Sequence, residues 1–213
     1  MESVFDTTFS ITARCPTTGD LGVAISTAVP AVGQRCPHVK MNVGAIATQS
    51  HTNIMLGIKG LKLLELGLTP EHALSVLLEE DEDRDLRQVA AVDALGRCFG
   101  YTGSKCLSWA GHIVGEGFVA AGNMIVGPRT LESMVESFRN SEGELSMRLL
   151  MALEAGQRAG GDRRGRVSAA LLVASGECRR YHDLRVDDHP NPVVELRRIY
   201  DKVYYEANSV HHP

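Results

Sequence analysis

Side chains able to do chemistry fall in four places along the 213 residues. The first is Thr7 to Ala28, TTFSITARCPTTGDLGVAISTA, where Thr8, Ser10, Thr12, Ser26 and Thr27 put small hydroxyls at positions a core strand ordinarily fills with Val or Leu. A hydroxyl near the head of a strand is either a small β-forming core residue or a nucleophile, and a nucleophile requires a base to take its proton. The second is Ala47-Thr48-Gln49-Ser50-His51-Thr52-Asn53, and the third runs from Trp109 through His112 to Gly122-Asn123. The fourth is the Gly-bounded loop Gly160-Gly161-Asp162-Arg163-Arg164-Gly165-Arg166.

Each of these side chains admits a structural role beside a chemical one. Thr52 or Asn53 can cap the helix that follows, its oxygen accepting from a first-turn N–H. His112, after Gly111, can serve as an acid or base, or as a satisfied structural histidine. Asn123 can donate to a developing oxyanion or support a left-handed turn. Asp162 can pair with a neighbouring arginine to hold its loop, while guanidinium forks at Arg164 and Arg166 can clamp a carboxylate or phosphate. Asp187-Asp188-His189 carries metal-ligand residue types. Consecutive side chains splay apart, however, and with Pro190 and Pro192 following, the triplet reads as the approach to the last helix. No metal is expected, and without P-loop or dinucleotide fingerprints no cofactor is expected either.

The elements that must position these groups follow from periodicity. Phe9, Ile11 and Ala13 alternate with Ser10, Thr12 and Arg14; Pro16 to Asp20 carries turn chemistry; Leu21, Val23 and Ile25 resume the alternation. Two more hairpins are expected, at Gln88–Tyr101 with a turn at Asp93–Gly96, and at Val167–Val186 with a turn at Ser175-Gly176-Glu177. Single strands are expected at Val43–Gln49 and Phe118–Gly122. Apolar spacing predicts helices at Asn53–Leu66, ending at Gly67, and from Pro70 through Leu78 with Thr69 as cap. Further helices are predicted at Pro128–Phe138, Glu144–Ala155 and Pro192–Tyr205. Many short strands with helices in pairs suit an α+β protein of two stacked, mainly antiparallel sheets between helical layers. Gly, Ala, Ser and Thr dominate the strand interiors, as close sheet-on-sheet contact requires.

Composition bounds the rest. The apolar fraction of 44% and charged fraction of 23% are those of a globular protein, and a net charge of −4 gives no basic footprint for nucleic acid. No apolar run is long enough to span a membrane, and Met1–Asp6 lacks the parts of a signal peptide, so cytoplasmic residence is expected. Five scattered cysteines without a C-x-x-C read as reduced, buried thiols, with Cys15 beside Arg14 a candidate for reactivity. One domain over 8–206 is expected, with an extension at 1–7, a tail at 207–213 and assembly as a dimer or higher homo-oligomer.

The polar runs, taken in order with TFSITAR, GDLGVA, GIKGLKLLELGLTPEHAL and DLRVDDHPNPVVELRRIY, resemble a bacterial family of uncharacterised proteins. That family is domain of unknown function 1028, placed in the N-terminal nucleophile (Ntn) hydrolase superfamily, and the resemblance runs from Thr8 to about Tyr200. It implies a four-layer αββα sandwich. It also implies a Thr, Ser or Cys whose side chain attacks an amide carbonyl while its own α-amine acts as base. Thr8 is the matching residue. Because seven residues precede it, its amine is free only after a cut between Thr7 and Thr8. Relatives usually carry an acidic residue where this chain has Cys15, and glutamine where it has Ala121 and Val167.

Two functions follow as expectations. One is an Ntn-type amidohydrolase acting on a small, anionic amide. In it Thr8 is the nucleophile, Asn123 and His112 complete the catalytic group, and Thr48, Ser50, His51, Asp162, Arg164 and Arg166 bind the substrate. The other is a catalytically silent Ntn-fold protein that binds a small ligand or assembles with itself. Met1–Thr7, with Val4, Phe5 and Asp6, is expected to pack over the mouth of the polar cleft, anchored by Phe5.

Overall fold

Ten strands and five helices make up the computed structural model of the chain, which describes residues 8–175 and 181–209. In chain order the strands are β1 (Thr8–Arg14), β2 (Leu21–Thr27), β3 (Pro37–Lys40), β4 (Gly44–Ser50), β5 (Arg87–Asp93), β6 (Cys98–Thr102), β7 (Gly111–Gly115), β8 (Phe118–Asn123), β9 (Ser168–Ala174) and β10 (Tyr181–Val186). The helices are α1 (Ile54–Glu65), α2 (Pro70–Glu79), α3 (Arg129–Asn140), α4 (Leu145–Arg158) and α5 (Pro192–Ser209). One antiparallel sheet has the order β10-β9-β2-β1-β8-β7 and the other the order β3-β4-β5-β6. The first hairpin, in register from Thr8↔Thr27 to Arg14↔Leu21, sits at the centre of the larger sheet, so both its faces are covered.

Strand alternation decides what each face meets. On β1, Phe9, Ile11 and Ala13 join side chains of α3, α4 and α5 in one apolar cluster that includes Met134, Leu149, Leu153 and Tyr200. Full burial of Phe9 alone contributes about 1.5–3 kcal/mol. On the other face, Leu21, Val23 and Ile25 of β2, with Val119 and Ala121 of β8, pack against Ala45, Ala47, Ala90 and Val92 of the smaller sheet. The alanines on that facing sheet are what small-residue strands predict. A third cluster joins Ile46, Val89 and Ala91 to Leu56, Leu74 and Leu78 of α1 and α2. The helix α5 docks on α4 through a Tyr200 Oη–Ser146 Oγ hydrogen bond (2.9 Å) and the Arg197–Glu154 ion pair (2.7 Å).

Most expected elements appear within two or three residues of their predicted bounds. Asn53 caps α1, its side chain accepting from Met55 N, and Thr69 caps α2 with Pro70 opening the helix. Two strands were not expected. β3 has four residues, begins at a proline and lies on a sheet edge; β7, within the Trp109–Phe118 polar run, is a glycine-bounded edge strand. The last helix runs past Tyr205 to Ser209, so the tail expected from 207 begins as helix. The extension Met1–Thr7, Cys178, the third turn beyond Ser175 and residues 210–213 lie outside the described residues. No helix among the described residues is long and apolar enough to cross a membrane.

His38 of β3 lies under α1 at Gly57, where a Cβ would collide with the imidazole ring. Its Nε2–H donates to the Arg35 carbonyl at 3.1 Å. Burial holds its pKa below the ordinary 6.5, against the opposing pull of that hydrogen bond. The unfolded chain therefore binds the His38 proton first as pH falls, and stability is lost progressively below 6.5. His38→Gln is expected to flatten this part of the stability profile, read as denaturation midpoints across that range. An unchanged slope would exclude His38 as its source.

Candidate functional site

The strand ends gather the polar residues at one end of the two sheets. Thr8 begins β1 and pairs with Thr27, the last residue of β2, on one side and with Asn123, the last of β8, on the other. By strand parity all three side chains face the smaller sheet, because Ser10, Ile25 and Ala121 do. Thr8 and Thr27 are fully buried and Asn123 is 1% exposed. At the same end of the smaller sheet lie Gln49, near the finish of β4, and Gln88, near the start of β5.

Those two glutamines join the sheets. Ser10 Oγ donates to Gln49 Oε1 (2.7 Å), Gln49 Nε2 to Gln88 Oε1 (2.7 Å), and Asn123 Nδ2 to the same Gln88 Oε1 (3.0 Å). Gln88 Nε2 donates to the carbonyls of Gly122 (2.8 Å) and Gly111 (3.0 Å) and to Thr102 Oγ1 (2.9 Å). Two carbonyls can only accept, which fixes the amide orientation of Gln88 and, through it, those of Gln49 and Asn123. Thr102 then aims its own O–H at His112 Nδ1 (2.8 Å), and the ring lies over Gly100. Burial lowers the His112 pKa below 6.5, in keeping with a neutral ring that accepts at Nδ1.

Replacing Gln88 by Leu strands donors on Gln49 and Asn123 and two strand carbonyls. At about 1–3 kcal/mol for each buried group left unpaired, partly relieved by relaxation, the expected loss is about 2–4 kcal/mol. It is measured as a lower urea midpoint at unchanged slope. A loss within experimental error would mean that the network carries no strain-free role in joining the sheets.

A second polar assembly holds the 50–53 segment. Arg87 is a buried guanidinium whose donors are all taken. Nε and Nη2 fork onto Asp81 (2.9 and 3.0 Å), Nη2 also reaches Asp83 (3.3 Å), and Nη1 meets the His51 carbonyl (2.8 Å) and Nδ1 (2.6 Å). Asp81 also accepts from Asn53 Nδ2 at 2.7 Å, tying the α1 cap to the exit of α2. Burial pushes the Asp81 carboxyl up, but hydrogen bonds from Arg87, Asn53 and the Asp83 backbone hold it below 3.8. Ser50, which leads into this segment, has φ 71°, and Met124, immediately after Asn123, has φ 48°. Non-glycine residues in the left-handed region cost free energy, and two flank this end of the sheets. The left-handed residue at this turn is thus Met124, one position after Asn123.

The loop of residues 160–166 closes the same end. Asp162 is buried and accepts from Ala28 N (3.0 Å) and Arg164 N (2.9 Å), with Arg164 Nη2 at 3.5 Å. The arginines diverge: Arg163 reaches the Ser108 carbonyl (3.1 Å) and Arg166 the Pro190 carbonyl (3.1 Å). Asp187 to His189 form the approach to α5, His189 Nδ1 accepting from Asn191 N (3.0 Å). No group of three or more His, Cys, Asp or Glu among the described residues is placed to hold a metal. Cys15 and Cys36 are buried and Cys98 and Cys106 half-buried, and all four are free thiols. Burial raises the Cys98 and Cys106 pKa values. At Cys15 burial also raises it, but hydrogen bonds from Thr18 and Thr17 bring it below the ordinary value.

Of the expected site residues, Thr8 and Asn123 come together, with His112 linked to Asn123 through Thr102 and Gln88, and Asp162 caps the exit of β2 beside them. Thr48 and Ser50 share the parity of Ile46 and face the α1 side; Thr48 Oγ1 donates to the Asn53 carbonyl (3.2 Å). His51 is engaged by Arg87. Outside the expected set are Gln88 and Thr102 between the sheets, together with Ser10 and Gln49, which lie in the polar runs but carry no expected role, and the pair Arg87–Asp81 behind them. Gln49 and Gln88 carried a usable signal: each shares strand parity with buried alanines, and a glutamine on such a face must be hydrogen-bonded.

The family of unknown function DUF1028 matches residues 8–196. This chain belongs to the DUF1028 family. The crystal structure of another DUF1028 protein, SPO2555 from Silicibacter pomeroyi, superimposes with a TM-score of 0.86 at 35% identity, covering 92% of this chain and 88% of that one. Anbu (ancestral beta-subunit) from Yersinia bercovieri aligns over 96% of this chain and 98% of its own, but with a TM-score of 0.40 and 9% identity. At that level neither fold nor chemistry carries over. None of the curated proteins matches. The DUF1028 match begins at Thr8, the first residue of the central strand.

Proposed function

We propose that this DUF1028 protein is an Ntn-type amidohydrolase, acting on a small anionic amide, with Thr8 as its nucleophile once the chain is cut after Thr7. The observation that carries this reading is the pairing of Thr8 with Asn123, whose amide is oriented by Gln88. In the reaction the freed Thr8 amine takes the hydroxyl proton and Oγ1 attacks the amide carbonyl. The tetrahedral oxyanion collapses to an ester as the amine leaves with that proton, and water then hydrolyses the ester. One Asn123 N–H is spent on Gln88; the other is the candidate oxyanion donor. Neutral His112, two hydrogen bonds from Asn123's partner Gln88, is placed in this reading to exchange a proton near the site. Arg164, beside the buried Asp162, and Arg166, on the same loop, supply positive charge for a substrate carboxylate; Thr48 and Ser50, which face α1, and His51, held by Arg87, lie behind the wall that Gln49 and Gln88 present to Thr8.

Other features support the wider reading. The three apolar clusters suit a four-layer αββα stack of Ntn type, taken here as one unit over 8–206. Four free thiols suit the cytoplasm. Exposed Ile54, Met55 and Ile58 on α1 suit self-association. A second reading, a silent Ntn fold that binds a ligand or assembles with itself, is favoured by one observation: Thr8 is fully buried. The mass of the intact purified protein separates the two. A species beginning at Thr8 is expected for the hydrolase, whereas a purely full-length product favours the silent protein.

A further inference from the structure

The end of β1 remote from Thr8 carries a second cluster of charge that the proposed reaction does not use. β1 spans seven residues, so about 20 Å of strand separates Arg14 from Thr8. There a cleft of ≈ 530 Å³ opens among three hairpin turns and the junction of α3 with α4, lined by Arg14, Pro16, Gly96, Glu116, Phe138 and Arg148, among others. Arg14 lies across two glycine turns: a Cβ at Gly96 would stand 3.9 Å from its Cδ, and one at Gly19 4.0 Å from its Nη2. Both glycines have positive φ, 81° and 77°, so these turns leave the guanidinium room that side chains would take. Arg148 lies 4.3 Å over the Phe138 ring and donates Nη2–H to the Phe138 carbonyl (3.1 Å).

Among the described residues neither arginine has a counter-ion. Both are half-buried, and the Nε of each is shielded from solvent without a hydrogen-bond partner. Among the described residues Arg14 makes no side-chain hydrogen bond or ion pair at all, Asp20 on the adjoining turn included. Glu116, the carboxylate on the cleft wall, is exposed and pairs with neither. By contrast, the buried guanidinium of Arg87 is fully engaged, by Asp81, Asp83 and His51. Two planar donor forks that share a cleft, with an aromatic ring pinning one of them, match the geometry by which arginine holds a carboxylate or phosphate.

We infer that this cleft is a binding site for a small oxyanion-bearing molecule, with Arg14 as the principal clamp, Arg148 as a fixed second donor and Glu116 opposing excess negative charge. The inference does not depend on Thr8 chemistry.

The test is calorimetric titration of the full chain at fixed ionic strength with two probes, inorganic phosphate and succinate. Saturable binding of at least one is expected, and which one binds distinguishes a phosphoryl from a carboxylate ligand. Arg14→Gln is expected to weaken that binding about tenfold or more, the loss of a charge-assisted contact, while Arg14→Lys, which keeps charge but not the fork, falls between. Because no side-chain hydrogen bond or ion pair among the described residues holds Arg14, its replacement is expected to leave the fold intact, with an unchanged denaturation midpoint as the check. Glu116→Gln is expected to strengthen binding, a change of sign that loss of packing would not produce. Absence of saturable binding of both probes, or equal affinity in wild type and Arg14→Gln, overturns the inference.

Discussion

Thr8→Ala, made in a chain that begins at residue 8, is expected to lower amide hydrolysis by about 10⁴-fold or more, the order seen when a nucleophile is removed from a preorganised site. The substitution deletes the hydroxyl and the γ-methyl and leaves Asn123 held by Gln88, so the oxyanion donor stays in place. Stability should fall by only about 1–2 kcal/mol, the net worth of a side-chain hydrogen bond plus a buried methyl. Thr8→Ser should keep part of the activity, because its hydroxyl can occupy the same position. Activity in Thr8→Ala comparable to the parent would remove Thr8 from the mechanism.

A large expected effect on stability lies behind the site. Asp81→Ala leaves Arg87, whose side chain is 8% exposed, with only the longer contact to the exposed Asp83 (3.3 Å) as counter-charge, and the expected cost is about 3 kcal/mol, the low end for breaking a buried pair. Replacing both partners by leucine removes the charge together with its counter-ion and should cost much less than the single change. A double-mutant cycle read by chemical denaturation therefore yields a large coupling energy. The sign with pH follows from the depressed Asp81 carboxyl. Its contribution is present above 3.8 and is lost as pH falls through its lower folded value, well below the window assigned to His38. Additive single and double variants would mean that the ion pair contributes little.

How much of this was legible in the sequence depends on the range of the forces involved. Local signals transferred directly: Thr69-Pro70 and Asn53 start helices because a cap and a fixed φ act within one turn, and the alternation of β1 placed Phe9 and Ile11 on one face. The gathering of polar residues at the strand ends also followed once the hairpins were in place, since Thr8, Asn123 and Asp162 all lie at element boundaries. The network between the sheets did not follow. Gln49 and Gln88 are 39 residues apart and meet only because β4 and β5 pair in one register, which no local pattern states. β3 and β7 were hidden for a related reason. Edge strands are short and half-exposed, so neither alternation nor a continuous apolar run marks them. The arginine loop shows the converse error of proximity: Arg163, Arg164 and Arg166 are neighbours in sequence, yet they bond to Ser108, Asp162 and Pro190 in three directions.

The most direct measurement compares two chains, one intact from Met1 and one processed to a free Thr8 amine, each with its N-terminus confirmed by mass and each assayed against the same panel of neutral and acidic amides. The hydrolase reading predicts turnover by the Thr8 chain, faster on acidic amides, with little or none from the chain that keeps its amide nitrogen at Thr8. Equal silence from both, with the free Thr8 amine confirmed and the fold intact, would contradict it.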